Sequence, residues 1–248
     1  MTAAGTARRP PAALVTGANR GLGLALATEL LADRGGSVVL GVRDPGAAGP
    51  AQDLVAGHPD RAWLVRVDYA DEHGVVGVTG AVPLDALDLL VNCGGANLAV
   101  ERPPAASKGP VGELCYSALV ELFEVNVAGP VLLCQALWPL LTAAGGSVVA
   151  NVSTGRASLA LGDQPGSFGY SVSKAALNMA TRKLAAELGR LGGTAVAIDP
   201  GWMRTRMGGP NAPNEPADVA RRMLDTLLAG GRALNGRFVD ADGNNLPW

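Results

Sequence analysis

The run Ala13-Leu14-Val15-Thr16-Gly17-Ala18-Asn19-Arg20-Gly21-Leu22-Gly23-Leu24-Ala25-Leu26-Ala27 constrains the fold more than any other segment. A short apolar stretch enters a glycine-rich turn and leaves as an apolar-periodic segment, which predicts a strand, a tight loop and a helix. That arrangement aims backbone N–H groups and a helix N-terminus at a bound phosphate. The spacing of Gly17, Gly21 and Gly23 departs from the strict G-x-G-x-x-G fingerprint, and an ordinary tight turn would also use such glycines. The rest of the chain decides between the two.

Apolar strand candidates recur at Ala12 to Thr16, Ser37 to Val42, Ala62 to Val67, Leu87 to Asn92, Ser147 to Val152, Ala195 to Asp199 and Gly236 to Val239. Helical patterns separate most of them, so the expectation is α/β: one doubly wound parallel sheet flanked by helices, with ligand sites at the carboxyl ends of the strands. With 48% hydrophobic residues, the 248-residue chain can bury one large core, and a single domain over residues 1–248 is expected. Three stretches dense in Gly, Pro, Ser or Asn interrupt the pattern: Ala96 to Gly112, Gly155 to Gly169 and Arg206 to Pro216. Loops of that kind often cover a substrate site.

Charge and cysteine usage exclude several functions. A net charge of −2 provides no basic surface for nucleic acid or an anionic membrane. No apolar leader is evident before Ala12 and no stretch is read as bilayer-spanning, so a soluble, cytoplasmic protein is expected. Cys93, Cys115 and Cys134 lack metal-ligand spacing and are read as core thiols. His58 and His73 lie near no nucleophile motif, which leaves neither a histidine-based triad nor a metal site.

Tyr170 and Lys174 supply the chemistry. They fall in Gly169-Tyr170-Ser171-Val172-Ser173-Lys174-Ala175-Ala176-Leu177, within a segment free of Pro and Gly until Gly189. In a helix, positions i and i+4 share a face, so a phenol and an ammonium stand side by side. Free tyrosine has a pKa near 10, and a neighbouring cation is expected to lower it toward use as an acid or base.

In order along the chain, these motifs resemble those of the short-chain dehydrogenase/reductase family. Thr16-Gly17-x-x-x-Gly21-x-Gly23 resembles its cofactor loop, Asp68 its adenine-contacting aspartate, and Asn92-Cys93-Gly94-Gly95 its N-N-A-G turn. Asn126-Val127-Ala128-Gly129 is similar to the segment carrying the catalytic asparagine, and Asn151-Val152-Ser153-Thr154 to the strand end carrying the catalytic hydroxyl. Tyr170-x-x-x-Lys174 and Pro200-Gly201-Trp202-Met203-Arg204-Thr205 complete the series. Within the family the chain looks most like carbonyl-reductase-type bacterial members. The resemblance implies a Rossmann-type fold, assembly as a homodimer or homotetramer, and reduction of a small-molecule carbonyl by hydride transfer.

The resemblance also distributes roles. Tyr170 would donate the proton, Lys174 would lower the phenol pKa and reach the nicotinamide ribose, and Asn126 would position Lys174 through water. Thr154, three residues past Asn151, would hold the carbonyl oxygen, with Ser153 or Ser158 as alternatives if the strand end is shifted. Cofactor contacts would come from Gly17, Asn19, Arg20, Gly21, Leu22, Gly23, Arg43, Asp68, Asn92, Gly94, Tyr170, Lys174, Pro200, Gly201, Met203 and Thr205. Cys93-Gly94 replaces the usual Asn-Ala, and the lost methyl is expected to cost a little cofactor affinity. At the end of the second strand Val42 takes the place of an acidic residue, and Arg43 with Arg20 suits a 2′-phosphate, so NADP(H) is expected over NAD unless Asp44 reaches the ribose. An enzyme using the same residues on an imine, an enone or another secondary-metabolite intermediate is the alternative. A non-catalytic NADP-binding regulator would be expected to lose Tyr170 or Lys174.

Overall fold

The computed structural model describes residues 10–98, 114–162 and 165–248. Most of the loop expected over Ala96 to Gly112 lies outside these residues, as do Asp163 and Gln164 of the loop before Tyr170. Seven strands form one sheet: β1 (Ala12–Thr16), β2 (Ser37–Val42), β3 (Ala62–Arg66), β4 (Leu89–Asn92), β5 (Val148–Val152), β6 (Thr194–Asp199) and β7 (Phe238–Asp240). Their order is β3-β2-β1-β4-β5-β6-β7, and every neighbouring pair is parallel. This is the Rossmann-type doubly wound sheet that the alternation predicts. β4 starts two residues later than expected, and just before it the Asp88 carboxylate accepts from the Ala12 amide at 2.8 Å.

The helices are α1 (Gly21–Ala32), α2 (Pro50–Ala56), α3 (Glu72–Val76), α4 (Tyr116–Ala136), α5 (Trp138–Ala143), α6 (Phe168–Arg190) and α7 (Pro216–Gly230). Helices α1 and α7 close one face, where Leu26 and Leu30 meet Val219, Met223 and Leu227 above alternate residues of the sheet. On the other face Leu133, Leu137, Ala185 and Leu188 pack on Leu14, Val39, Leu90 and Val149. Because both faces are covered, central strands are apolar throughout rather than alternating, and all five residues of β1 are buried.

Helix α4 corrects one expectation, since Tyr116–Ala136 is long and apolar enough to cross a membrane by length and composition. In the fold it turns Leu122, Asn126, Leu133 and Cys134 into the protein. A π-helical turn over Glu124–Ala128 interrupts it, with Asn126 fully buried inside that turn. Such bulges rotate a side chain out of the ordinary helical register and recur at functional sites.

The order of β1 between β2 and β4 creates the topological switch point of the sheet. There the loops after β1 and β4 diverge to opposite faces and leave a crevice at the carboxyl ends.

Candidate active site

The loop after β1 is shaped by close approach. Gly17 and Gly21 sit at φ +64° and +55°, in the left-handed region that a side chain resists. A methyl group added at Gly23 would lie 2.5 Å from the Gly17 carbonyl oxygen, so glycine is required for α1 to start against its own strand. Arg20 opens α1 with extended backbone and no side-chain cap. The amides of the first turn therefore remain available to an anion. Asn19, Arg20, Gly21, Leu22 and Gly23 line one cleft of about 1480 Å³, and this cradle fits the pyrophosphate of a dinucleotide.

Beneath the loop runs a buried polar chain that sequence reading missed. Thr16 Oγ1 accepts from the amides of Cys93 and Gly94, both at 3.0 Å, and lies 2.8 Å from the Tyr69 hydroxyl. Tyr69 donates to Asn92 Oδ1 at 2.8 Å, Asn92 Nδ2 donates to Asn151 Oδ1 at 2.7 Å, and Asn151 Nδ2 donates to Thr181 Oγ1 at 2.8 Å. The chain links β1, β4 and β5 to α6, so the strand ends bearing the site are held as a unit. Burial drives the Tyr69 phenol well above its ordinary range, which keeps it a donor. Its signal in the sequence, a tyrosine directly after Asp68, is faint.

Tyr69 also explains Gly94. A methyl there would stand 3.0 Å from Tyr69 Cε2, so the space the usual alanine would fill belongs to the ring. The departure Cys93-Gly94 thus goes together with the Tyr69 ring packed beneath it.

Helix α6 brings Tyr170 and Lys174 to the cleft together with Thr154, at the end of β5. Lys174 Nζ donates to the Val152 carbonyl at 2.8 Å, and burial pulls its ammonium down to about 8. Tyr170 moves the other way. Burial first, and the Asp199 charge second, push its phenol up to about 12, against a lowering by Arg156. The expectation that Lys174 lowers the phenol is corrected here, because the ammonium is itself desolvated and aimed at a backbone carbonyl.

The two hydroxyls after β5 point differently. Ser153 Oγ donates to Asn178 Oδ1 at 2.6 Å and is 3% exposed, although its residue borders the cleft. Thr154 is half-buried, lines the cleft, and among the described residues its Oγ1 accepts one long 3.4 Å contact, from the Arg156 amide. Ser158 is buried and brackets the amides of Ala160 and Leu161 at 3.2 and 3.1 Å. Asn126 lies behind the cleft: its side chain accepts from the Ala96 amide and donates to the Ala96 carbonyl, both at 2.9 Å, and donates to Ser173 Oγ at 3.0 Å. Gly95 lies between Asn126 and Lys174, where an added methyl would meet Asn126 Oδ1 at 3.1 Å and Lys174 Nζ at 3.4 Å.

Pro200, Gly201, Met203 and Thr205 complete the cleft from the loop after β6, and Thr205 faces Gly21 across it. Four of the expected site residues do not line this cleft. Asn92 and Asn126 are engaged in internal hydrogen bonds. Asp68 accepts from the Ala70 amide at 3.2 Å and pairs with Arg66 at 3.5 Å. Arg43 is exposed just past β2, beyond the glycine loop. The cysteines divide: Cys134 is a core thiol, whereas Cys93 borders the cleft and Cys115 is exposed, which corrects the reading of all three as core. Among the described residues no cluster of His, Cys, Asp and Glu is arranged to hold a metal.

Comparison with known proteins agrees with this geometry. Residues 11–216 match the family model for short chain dehydrogenase. A cis-4-hydroxycyclohexanecarboxylate dehydrogenase from Sinomonas cyclohexanicum is 35% identical over 214 residues, covering 85% of this chain and 79% of the relative. The C-signal protein of Myxococcus xanthus is 36% identical over 138 residues, or 56% of this chain and 83% of the relative. The structure of NADPH-bound carbonyl reductase from chicken fatty liver superposes with a TM-score of 0.86 at 27% identity, covering 97% of this chain and all of that one, 100%. With the sheet, the glycine loop and the Tyr170–Lys174 pair in place, the chain belongs to the short-chain dehydrogenase family.

Proposed function

We propose that this protein is an NADPH-dependent reductase that converts a carbonyl to an alcohol, with Tyr170 as the proton donor. The observation that carries the reading is a single cleft running from the uncapped start of α1 to Tyr170, Lys174 and Thr154. When bound, the nicotinamide cofactor supplies the hydride. The chain supplies orientation and proton transfer. Thr154 holds the carbonyl oxygen, Tyr170 delivers its proton to that oxygen as alkoxide character develops, and Lys174 places a positive charge one helical turn away. Asn126 fixes the backbone at Ala96, and Gly95 beside it leaves room for Lys174.

Preference for NADP(H) rests on the end of β2. Val42 is buried where an acidic residue would bind an unphosphorylated ribose. Asp44 is engaged in its own turn, accepting from the Gly46 amide at 2.9 Å, which leaves Arg43 and Arg20 as the ribose-side charges. The NADPH in the chicken carbonyl reductase is consistent with this assignment.

A homodimer or homotetramer is part of the proposal. Tyr116, Val120 and Phe123 on α4 and Val172 and Met179 on α6 expose large apolar side chains at helical spacing, as an association face would. Light scattering of the purified protein measures this directly. A cytoplasmic location without nucleic-acid or membrane partners fits the charge of −2.

The deciding experiment follows NADPH and NADH oxidation against a panel of ketones, aldehydes, imines and enones. Turnover of carbonyls with NADPH preferred is the expected result. Turnover confined to imines or enones would reassign the substrate, and tight NADPH binding without any turnover would make the protein a cofactor-binding regulator.

A further inference from the structure

Asp199, the last residue of β6, shares its carboxylate between two loops of the cleft. Oδ2 accepts from the Gly155 amide at 2.8 Å, and Oδ1 accepts from the Gly201 amide at 2.9 Å. Gly155 directly follows Thr154, while Gly201 turns the chain at φ +77° after Pro200. A methyl on Gly155 would stand 3.2 Å from Asp199 Oδ2, so the glycine is what lets the carboxylate come so close. Asp199 lines the same cleft as Thr154 and Tyr170.

We propose that Asp199 is a positioning residue for carbonyl reduction, one carboxylate that locks the Thr154 loop to the Pro200-Gly201 loop and sets a negative charge in the cleft that it shares with Tyr170. The proposal rests on the reductase reading above. The lock makes the substrate-holding hydroxyl and the cofactor-side turn move as one body, which preserves the alignment that hydride transfer demands. The charge acts on the proton donor.

Besides Asp199, Tyr170 answers to its own burial, to Arg156 from the turn after Thr154 and to Cys93 from the loop after β4, while Lys174 stands one turn along α6. Asp199 raises the phenol by more than Arg156 lowers it, so the sum keeps the proton on the oxygen. Burial raises the Asp199 carboxyl above its ordinary value, the amides of Gly201 and Gly155 hold it down, and its charged neighbour is Asp240, its register partner on β7. A phenol that keeps its proton is ready to donate to an alkoxide, whereas alcohol oxidation needs the phenolate. Asp199 thus disfavours the phenolate that alcohol oxidation needs and extends the protonated form of Tyr170 to higher pH.

Full-length protein, Asp199→Asn and Asp199→Glu test this together. The asparagine keeps the shape, turns one acceptor into a donor and removes the charge. Its reductase kcat should fall about tenfold or more, and the alkaline limb of its pH profile should move down by about one pH unit. The glutamate keeps the charge and displaces the lock, so kcat should fall while the limb stays in place. Ultraviolet titration of tyrosinate, taken as the difference between each protein and its Tyr170→Phe counterpart, reads the same shift without turnover. It therefore judges the proposal even if the parent reduces no carbonyl, an outcome that would sink the reductase reading alone. An asparagine variant with unchanged kcat, or with a lower kcat but a parental pH limb and tyrosinate midpoint, overturns the proposal. Asp199→Ser provides the charge-free arm if asparagine does not fold, and failure of both to fold reduces Asp199 to a folding residue and overturns it too.

Discussion

Lys174 donates from Nζ to the carbonyl of Val152 at 2.8 Å, tying the Tyr170–Lys174 face of α6 to the last residue of β5. The bond holds an ammonium that is only 4% exposed, beside the strand end from which Ser153 and Thr154 emerge. A cation so placed loses much of its hydration, which is why burial depresses it from 10.5 to about 8.

That depression makes a stability prediction with a definite sign. Between about pH 8 and 10.5 the folded protein has released the Lys174 proton while the unfolded chain still holds it, so stability from this group rises with pH across the window. Below about pH 8 the charge is present in both states and its burial is a cost. Lys174→Met abolishes this dependence. Urea unfolding of both proteins across the window should show the parent gaining on the variant as pH rises. A constant difference would mean that the ammonium is better solvated than its position implies.

Tyr170→Phe should lower reductase turnover by roughly 10²- to 10⁴-fold, the range for loss of a positioned general acid. Cofactor binding should be nearly unchanged, since the ring still packs at the head of α6. Steady-state kinetics and NADPH fluorescence titration separate the two effects. Turnover within a few-fold of the parent would remove Tyr170 from the mechanism.

Thr154 and Ser153 should respond in different measurements. Thr154→Val keeps the shape and loses a hydroxyl that borders the cleft, so activity should drop by at least about tenfold with little effect on folding. Ser153→Ala should keep its activity but lose about 1–3 kcal/mol of stability, because Asn178 Oδ1 is then buried without its 2.6 Å donor. Asn178 Nδ2 already lacks an acceptor among the described residues, so the bond from Ser153 is the one hydrogen bond that satisfies this buried amide there. Paired kinetics and chemical denaturation measure both, and the reverse ranking would place the working hydroxyl at Ser153.

The sheet was legible in the sequence because its strands are buried on both faces and read as unbroken apolar runs, seen most plainly in Leu14-Val15 and Val38-Val39-Leu40. The cleft was legible for a related reason: Gly17, Gly21 and Gly23 are demanded by local backbone geometry, and local demands leave local signals. What stayed hidden depends on pairs distant in sequence. Tyr69 meets Thr16 across 53 residues, and Asp199 meets Gly155 across 44, with no periodicity to announce either contact. The direction of the Tyr170 shift was missed for the same reason. Spacing gives the neighbour at i+4, but burial and the charge from β6 arise only in the folded chain.

Tyr69→Phe tests that hidden chain. The ring that fills the space under Gly94 remains, while the hydroxyl between Thr16 and Asn92 disappears. Asn92 Oδ1 loses its donor in a buried site, and a loss of about 1–3 kcal/mol is expected. Tyr69 does not line the cleft, so turnover at a temperature where the variant is folded should match the parent. A large drop in turnover without a drop in melting temperature would show that the chain tunes chemistry rather than holding the strand ends.

Arg20 and Arg43 differ in placement, and cofactor choice should reveal it. Arg20 borders the cleft at the N-cap of α1, whereas Arg43 is exposed past β2 and outside the cleft lining. Charge-assisted hydrogen bonds contribute about 1.5–3 kcal/mol each, so an arginine that holds the 2′-phosphate should, when replaced by alanine, weaken NADPH by roughly ten- to a hundredfold. NADH lacks that phosphate and should be affected far less. Arg20→Ala is expected to show the larger loss, with Arg43→Ala adding a smaller one because its side chain must cross solvent to reach the same group. Competitive titration of the parent and both variants with the two cofactors gives the difference directly. Equal losses for NADPH and NADH would assign the arginines to the shared pyrophosphate or to folding, and a parent that prefers NADH would show that Asp44 leaves its turn with Gly46 to hold the ribose.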